Sequence, residues 1–228
     1  MNKRKKSSLL LIPLICAMLF GIIPVQAHAK TLPAQIATLY ATSDKKYDQR
    51  ADKYISKNET LSFFADRELY PKSIKSSKKS VAAPGRTITK SYGNGYKCTF
   101  TYVKVKKTGT ATISGKDGTT HKYKLTVKKY ANPFSSITMN GEDITSRFKK
   151  KSVYTLSYQD FKKKSVTLNY AQKGDWYITV QAQVAGSTSA SSVRNGSTVT
   201  VSQKGYTLIF HANNKKTGQY ETCEIVWK

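Results

Sequence analysis

The sequence predicts an all-β protein in which two tandem antiparallel sandwiches follow a signal peptide and a short N-terminal extension. Three observations lead to this prediction. After Glu59, apolar and polar residues alternate along most of the chain, which is the pattern of half-buried strands. Turn-forming residues recur at short intervals between the alternating runs. Tyr, Thr, Ser and Val, which fit a pleated and half-buried surface, are frequent.

Residues 1–29 contain the three parts of a secretory signal. Residues 3–6 are basic, residues 9–25 are mostly apolar, and Ala27-His28-Ala29 is a small-x-small exit, so cleavage is expected after Ala29. A retained membrane anchor and a lipoprotein modified at Cys16 are the alternatives. Prolines interrupt the apolar run, and the bulky Ile15 precedes Cys16, so a cleaved signal is the preferred interpretation. The mature protein is then secreted or held at the cell surface.

The mature chain, residues 30–228, has 35 basic and 13 acidic residues, which gives a net charge of +22. Such an excess attracts polyanions and releases them as salt rises. Lysine also keeps exposed strand edges from pairing with other chains, and net charge keeps a protein soluble. The charge alone therefore leaves a binding role and a solubilising role both open.

Residues 30–56 form the N-terminal extension, and their pattern is helical. Ile36, Tyr40, Tyr47, Ala51 and Tyr54 recur at three- or four-residue steps, together with Ser43 at one of the intervening positions. One face of a helix or of a pair of helical turns is therefore expected here, and a partly ordered leader that packs on the first domain is the alternative.

The first sandwich is predicted over residues 57–130. Its strands include residues 60–64, 97–106, 110–113 and 121–127, and a change of frame near Tyr102 indicates a β-bulge. Asp117-Gly118 is a hairpin signal between the last two strands.

Three segments of this domain carry a family resemblance. In chain order they are Lys107-Thr108-Gly109-Thr110-Ala111-Thr112-Ile113, then Asp117-Gly118-Thr119, then residues 123–127. They resemble the closing strands of a bacterial immunoglobulin-like domain of group 2. Residues 74–82 resemble the upstream segment of that family, although Ile74 replaces a frequent tryptophan and Lys78 a usual asparagine. The resemblance implies an immunoglobulin-like sandwich and a role in surface adhesion or carbohydrate binding, with a Gram-positive-type bacterium as the source.

The second sandwich is predicted over residues 131–228. Asn132-Pro133 breaks the strand pattern and marks the boundary. The predicted strands are residues 153–158, 166–170, 176–184, 198–202, 206–212 and 220–227, preceded by a strand and turn at 137–141. Residues 185–195 are rich in Ser, Ala and Gly and are predicted to form a loop. The pattern loosely resembles the immunoglobulin-like modules that accompany group 2 domains.

The sequence contains few residues that could form a catalytic or metal-binding site. Mature histidines are limited to His121 and His211, both inside predicted strands, and acids such as Glu142 and Asp143 are sparse. We therefore expect no catalytic site, no cofactor and no bound metal. Cys98 and Cys223 form an even pair that permits a disulfide in a secreted protein. Their places in different predicted domains favour two buried thiols instead.

The expected function is a non-enzymatic module that binds a cell-envelope or extracellular partner. The candidate polyanion-binding residues are Lys104, Lys106, Lys107, Lys122, Lys124, Lys128 and Lys129. An anionic cell-wall polymer, a glycan or a surface protein could be the partner, and nucleic acid would bind only non-specifically. The mature chain is not expected to span a membrane, and its oligomeric state is left open. A structural spacer or assembly subunit without a soluble ligand is the alternative function.

Overall fold

Two pairs of β-sheets and one β-hairpin make up nearly all regular structure in the computed structural model. The structure describes residues 30–41, 45–48, 51, 53–65, 73–116, 119–185, 187 and 189–228. The predicted signal peptide and the Asp117-Gly118 turn lie outside these residues. The predicted all-β fold class is confirmed.

The first half of the chain contributes ten of the described strands: β1 (Lys30–Thr31), β2 (Gln35–Leu39), β3 (Lys45–Asp48), β4 (Lys53–Ser56), β5 (Glu59–Ala65), β6 (Lys75–Ser76), β7 (Ala82–Ser91), β8 (Lys97–Val105), β9 (Gly109–Lys116) and β10 (Thr120–Lys129). Strands β6, β9 and β10 form one sheet, which β1 and β2 extend by pairing in parallel with β10. Strands β5, β8 and β7 form the facing sheet.

The strand order of this sandwich is immunoglobulin-like. When β5 to β10 are lettered B to G along the chain, the two sheets read B-E-D and C-F-G. Apolar residues at alternate positions of both sheets fill one core, with Val103 and Val105 from β8 facing Ile113, Leu125 and the other members of the cluster. The alternation seen in the sequence thus places one side of each strand against the opposite sheet.

The helix predicted over residues 30–56 is wrong, because the described residues of this range contain strands β1 to β4. Strand β2 pairs with the edge of β10 from Gln35 to Leu39, and β3 and β4 pair as a hairpin. Of the residues in the predicted stripe, Ala51 is buried, but Ile36 and Tyr54 are exposed. The buried residues beside those two are Ala37, in the sandwich core, and Ile55, in a second cluster, so the spacing does not mark one buried face. An exposed sheet edge also offers backbone hydrogen bonds to an arriving strand.

The β3–β4 hairpin covers the outer face of β8. Cys98, Phe100 and Tyr102 point to this side and join Ala51 and Ile55 in a second cluster. Six consecutive residues of β8 are buried as a result. The apolar–polar alternation of the sequence changes frame near Tyr102 because both faces of β8 are buried there, one in the sandwich core and one under the hairpin. The bulges themselves lie on the partner strands, between Leu61 and Phe63 on β5 and between Pro84 and Thr87 on β7.

The second half contributes nine described strands: β11 (Phe134–Met139), β12 (Glu142–Asp143), β13 (Val153–Leu156), β14 (Ser165–Gln172), β15 (Trp176–Val184), β16 (Ala190–Val193), β17 (Thr198–Thr200), β18 (Tyr206–Asn214) and β19 (Tyr220–Trp227). One sheet has the order β12-β11-β14-β17, and the other has the order β13-β19-β18-β15-β16. With β11 as A, β14 as B and β15 to β19 as C, C′, E, F and G, the sheets read A-B-E and C′-C-F-G. This order is again immunoglobulin-like.

The core of the second sandwich is aromatic. The rings of Phe134, Phe148 and Phe210 meet edge to face, with centroids of Phe134 and Phe210 5.1 Å apart. Such contacts add to the free energy gained from burying each ring. The loop predicted over residues 185–195 contains β16, which pairs with β15 from Gln183 to Val180. Backbone pairing on the edge of β15 thus orders a segment with little apolar content.

The two cysteines are not bonded to each other. Cys98 lies in the cluster under the hairpin, and Cys223 lies in the core of the second sandwich. Both thiols are buried among apolar side chains and act as small hydrophobic residues. Of the two possibilities that the sequence left open, the structure has two buried thiols and not a disulfide.

We expect Gly85→Ala to lower the free energy of unfolding by about 1–3 kcal/mol. An added Cβ would stand 2.8 Å from the Tyr102 carbonyl oxygen at the β7 bulge, and backbone there cannot move aside. Gly93→Ala is the control, because an added Cβ would meet no atom within 4 Å; its change should stay within about 0.5 kcal/mol. Urea unfolding measures both, and equal stability of the two variants would contradict the close approach.

Candidate functional site: a lysine face and the domain junction

A row of lysines covers the outer side of the sheet formed by β6, β9 and β10. Tyr123, Leu125 and Val127 of β10 point into the core, so the alternate residues Lys122 and Lys124 point to solvent. Ser114 of β9 pairs with Lys122 on one side and with Lys75 of β6 on the other. The β-sheet register therefore brings lysines from two non-adjacent strands to the same side of the sheet.

We call the set Lys75, Lys116, Lys122 and Lys124 the lysine face; all four side chains are exposed. Neighbours along β10 are about 7 Å apart, and residues two strands apart are about 10 Å apart. These separations are close to the Debye length of roughly 8 Å at physiological ionic strength, so the potentials of the ammonium groups add. The five strands of this sheet contain no Asp or Glu. The lysine face can therefore hold a polyanion by charge.

The other predicted lysines lie apart from this face. Lys128 is half-buried, and its Nζ lies 3.4 Å from the Thr217 carbonyl oxygen of the second sandwich; Lys129 is its neighbour. Lys104 is on the opposite sheet, across from Glu59.

Lys106 and Lys107 are in the connection between β8 and β9, where both backbone amides donate to the Val81 carbonyl oxygen. The structure thus brings together only part of the predicted set.

Lys75 and Lys116 belong to the lysine face but were absent from the predicted set. Lys116 continues the alternation of β9, and that pattern is visible in the sequence. Strand β6 has only two residues, and its pairing with β9 is a long-range contact. No local signal therefore assigns Lys75 to this face.

The two sandwiches are joined by a buried ion pair. Lys57, in the turn between β4 and β5, has a side chain with no exposed surface, and its Nζ lies 2.8 Å from Glu224 Oε1 on β19. The same Nζ donates to the Thr222 carbonyl oxygen at 2.8 Å and lies 5.4 Å from the centre of the Tyr40 ring. Three partners thus compensate the lost hydration of one ammonium group.

A second buried acid, Glu221, lies at the same junction. Its Oε1 accepts hydrogen bonds from Gln219 Nε2 at 2.6 Å, from Thr38 Oγ1 at 3.1 Å and from the Ala131 amide at 3.3 Å. Its Oε2 is buried and has no hydrogen-bond partner in the described part of the chain. Burial raises the pKa of Glu221 to about 7, against the hydrogen bonds, which lower it.

The linking residues complete the junction. Tyr40 and Tyr130 pack with ring centroids 5.7 Å apart, and the Tyr130 hydroxyl donates to the Phe148 carbonyl oxygen at 3.0 Å. Gln219 Nε2 also donates to the Lys129 carbonyl oxygen at 2.9 Å. The side-chain amide of Asn58 holds the Tyr40 backbone: its Oδ1 accepts from the Tyr40 amide at 2.7 Å, and its Nδ2 donates to the Tyr40 carbonyl oxygen at 3.0 Å. The junction is therefore built from all three parts of the chain: first sandwich, linker and second sandwich.

The other candidate catalytic residues are dispersed. Glu142 and Asp143 are exposed on the edge strand β12, and hydrogen bonds from Thr145 lower the pKa of Asp143. His121 and His211 lie in different sandwiches, on β10 and β18. Within the described residues, no group of three His, Cys, Asp or Glu side chains could hold a metal ion.

Comparisons with known proteins add only distant similarities. No protein-family model and no curated protein matches the chain. Among solved structures it is similar to the four N-terminal Ig domains of Dscam1 isoform 7.44, at 10% identity and a TM-score of 0.23, covering 90% of this chain and 52% of that one.

It is also similar to cadherin domains 1–5 of protocadherin Gamma B2, at 11% identity, a TM-score of 0.18 and coverage of 88% and 38%. It is similar as well to Drosophila N-cadherin EC1-4, at 14% identity and a TM-score of 0.16, covering 86% of this chain and 49% of that one. The chain thus spans about half or less of each. These TM-scores are too low to relate the whole chain to any of these proteins, and the immunoglobulin-like fold rests on the strand order itself.

Among the described residues, no helix is long and apolar enough to cross a membrane.

We expect the junction to weaken as pH rises through 7. The folded-state pKa of Glu221, about 7, exceeds the ordinary 4.5 because of burial. Its stabilising contribution is therefore fully present below pH 4.5 and is lost as pH rises through about 7, by roughly 3 kcal/mol in total. In Glu221→Gln the side chain stays neutral, so the variant should gain stability relative to wild type over this range.

Urea unfolding between pH 4 and 8 measures the difference. Glu142→Gln, which changes an exposed carboxylate on β12, is the control and should follow wild type at every pH. A difference between wild type and Glu221→Gln that does not change with pH would contradict the prediction.

Proposed function

We propose that this protein is a secreted, non-enzymatic binding module that attaches to an anionic polymer of the bacterial cell envelope through its lysine face. The single observation that supports the proposal is the clustering of four exposed lysines on a sheet whose strands carry no acid. A teichoic acid or an acidic glycan has the repeated charges that such a surface attracts by counterion release. The signal-like residues 1–29 support a location outside the cytoplasmic membrane.

Solubility alone would not need this arrangement. Lysines that only keep a protein soluble work equally well when scattered or mixed with acids. Here the sheet of the second sandwich formed by β13, β15, β16, β18 and β19 has no Lys or Arg at all, although the chain contains 39. The basic residues of the second sandwich thus lie outside this sheet, whereas the sheet of β6, β9 and β10 in the first sandwich gathers lysines on one side, which favours a binding surface. The group 2 immunoglobulin-like resemblance of residues 57–130 is consistent with a surface-adhesion role.

A rigid spacer is the second candidate, and the junction favours it. The buried Lys57–Glu224 pair and the Glu221 hydrogen bonds hold the sandwiches in one orientation, as a spacer requires. A spacer predicts no affinity for polyanions, so one experiment separates the two candidates.

We expect Lys75→Gln/Lys122→Gln/Lys124→Gln to lose about tenfold or more of its affinity for Gram-positive cell walls at low salt. Each lysine that neutralises a phosphate contributes roughly 0.9 to the slope of log affinity against log salt in nucleic acids, so the slope should fall by about 3. Protein secreted from a Gram-positive host is titrated with NaCl on intact walls and on walls without teichoic acid.

The control is Lys149→Gln/Lys150→Gln/Lys151→Gln, which removes three exposed charges from a loop of the second sandwich. Its slope should change by less than about 1. Equal losses in both triple variants would mean that binding depends on total charge and not on the lysine face. Absence of wild-type binding at any salt would support the spacer.

A further inference from the structure

A polar cleft lies between the β3–β4 hairpin of the first sandwich and the outer face of the second. Its volume is about 450 Å³, within the range of small-molecule sites. Lys46, Asp48 and Tyr54 of the hairpin form one wall, and β15, β18 and β19 form the floor. The Tyr54 side chain is 50% exposed, so part of its ring is available to a ligand.

The floor carries hydrogen-bonding groups in a connected row. The His211 Nε2 lies 3.2 Å from Gln181 Oε1, and the His211 Nδ1 is hydrogen-bonded to the Tyr220 hydroxyl. This pattern suits a neutral imidazole in which Nε2 donates to the amide oxygen and Nδ1 accepts from the hydroxyl. The amide nitrogen of Gln181 then remains to donate into the cleft. Thr207 and the apolar Ile209 complete this part of the floor.

The charges of the cleft balance. Lys46 and Asp48 have opposite signs, and Glu224 is paired with Lys57 at 2.8 Å. Burial lowers the pKa of His211, which keeps the imidazole neutral at pH 7. The three floor strands contain no Lys or Arg, in contrast to the lysine face of the first sandwich. A ligand of high charge of either sign therefore gains little here.

We propose that this cleft binds a short neutral oligosaccharide. Sugar hydroxyls both donate and accept hydrogen bonds. The Gln181 amide nitrogen can donate to them, and the Thr207 and Tyr220 hydroxyls, which donate to the Gly205 carbonyl oxygen and to His211, can still accept. The apolar faces of sugar rings match the half-exposed side chains of Tyr54 and Tyr220. Neutrality of the ligand matches the balanced charge of the cleft.

The cleft is formed before any ligand arrives. Its two walls belong to different sandwiches, and the Lys57 ammonium group fixes their distance by bonding to Glu224 and Thr222. A ligand thus needs no domain closure, which saves the ordering cost of binding. The site is separate from the lysine face and shares no residue with it. Failure of one proposal leaves the other intact.

The test is a set of short neutral oligosaccharides built from glucose, mannose, galactose, xylose or N-acetylglucosamine, with acidic saccharides as a second arm. Binding to the secreted protein is measured by calorimetry in about 0.5 M NaCl, where charge attraction is screened. We expect at least one neutral class to bind, with an affinity that does not change when salt is lowered. Absence of neutral binding, or binding of acidic saccharides alone, would overturn the proposal.

The variants Tyr54→Ala and Gln181→Ala should each raise the dissociation constant by about tenfold. Tyr177→Ala is the matched control, because Tyr177 is 51% exposed on β15 and does not line the cleft. If either cleft variant has a circular-dichroism spectrum unlike that of wild type, Thr207→Ala is used in its place. The lysine-face triple variant should bind the saccharide as wild type does. Equal affinities of the cleft variants and Tyr177→Ala would show that the ligand binds elsewhere.

Discussion

The buried ion pair between Lys57 and Glu224 is the constraint on which the arrangement of the two sandwiches depends. A buried charge without its partner costs several kcal/mol, about 3–5 when one partner is removed. An orientation that kept these residues buried but separated them would therefore leave an ammonium group and a carboxylate uncompensated. The pair adds little net stability compared with apolar packing, but it makes one orientation much more favourable than the others. The cleft and the hydrogen bonds of Glu221 to Thr38 and Ala131 require that orientation.

The outer sides of the two sandwiches differ in charge, and the difference follows from which residues alternate with the core residues along their strands. In the first sandwich, the sheet containing β10 alternates apolar and lysine residues, so one side builds the core and the other a cationic surface. In the second sandwich, β15, β18 and β19 present Gln, Thr, His and Tyr on the side away from the core. Two sheets of the same topology thus present surfaces that suit different partners.

Much of the fold could be predicted from local patterns, because antiparallel strands with one buried face produce alternation in the sequence. The strand at residues 176–184 and the strand at 220–227 show this. The first four strands were missed, since Ile36 and Tyr54, which helped to form the helical spacing, are exposed, and the residues that follow them, Ala37 and Ile55, pack in two separate clusters. Lys122 and Lys124 could be predicted as a surface pair from β10 alone. Lys75 could not, because only the sheet register places it beside them.

The junction escaped prediction for a deeper reason. Lys57 resembles any turn lysine in the sequence, and Glu221 and Glu224 resemble the solvent-facing acids of a strand. Glu221 in fact points inward at the start of β19, next to Thr38 of β2. A polar residue can be recognised as buried only when the element that covers it is known, and here that element is at least 165 residues away in the chain. Sites that form between domains combine such residues, so their chemistry appears only once the two domains have been placed together.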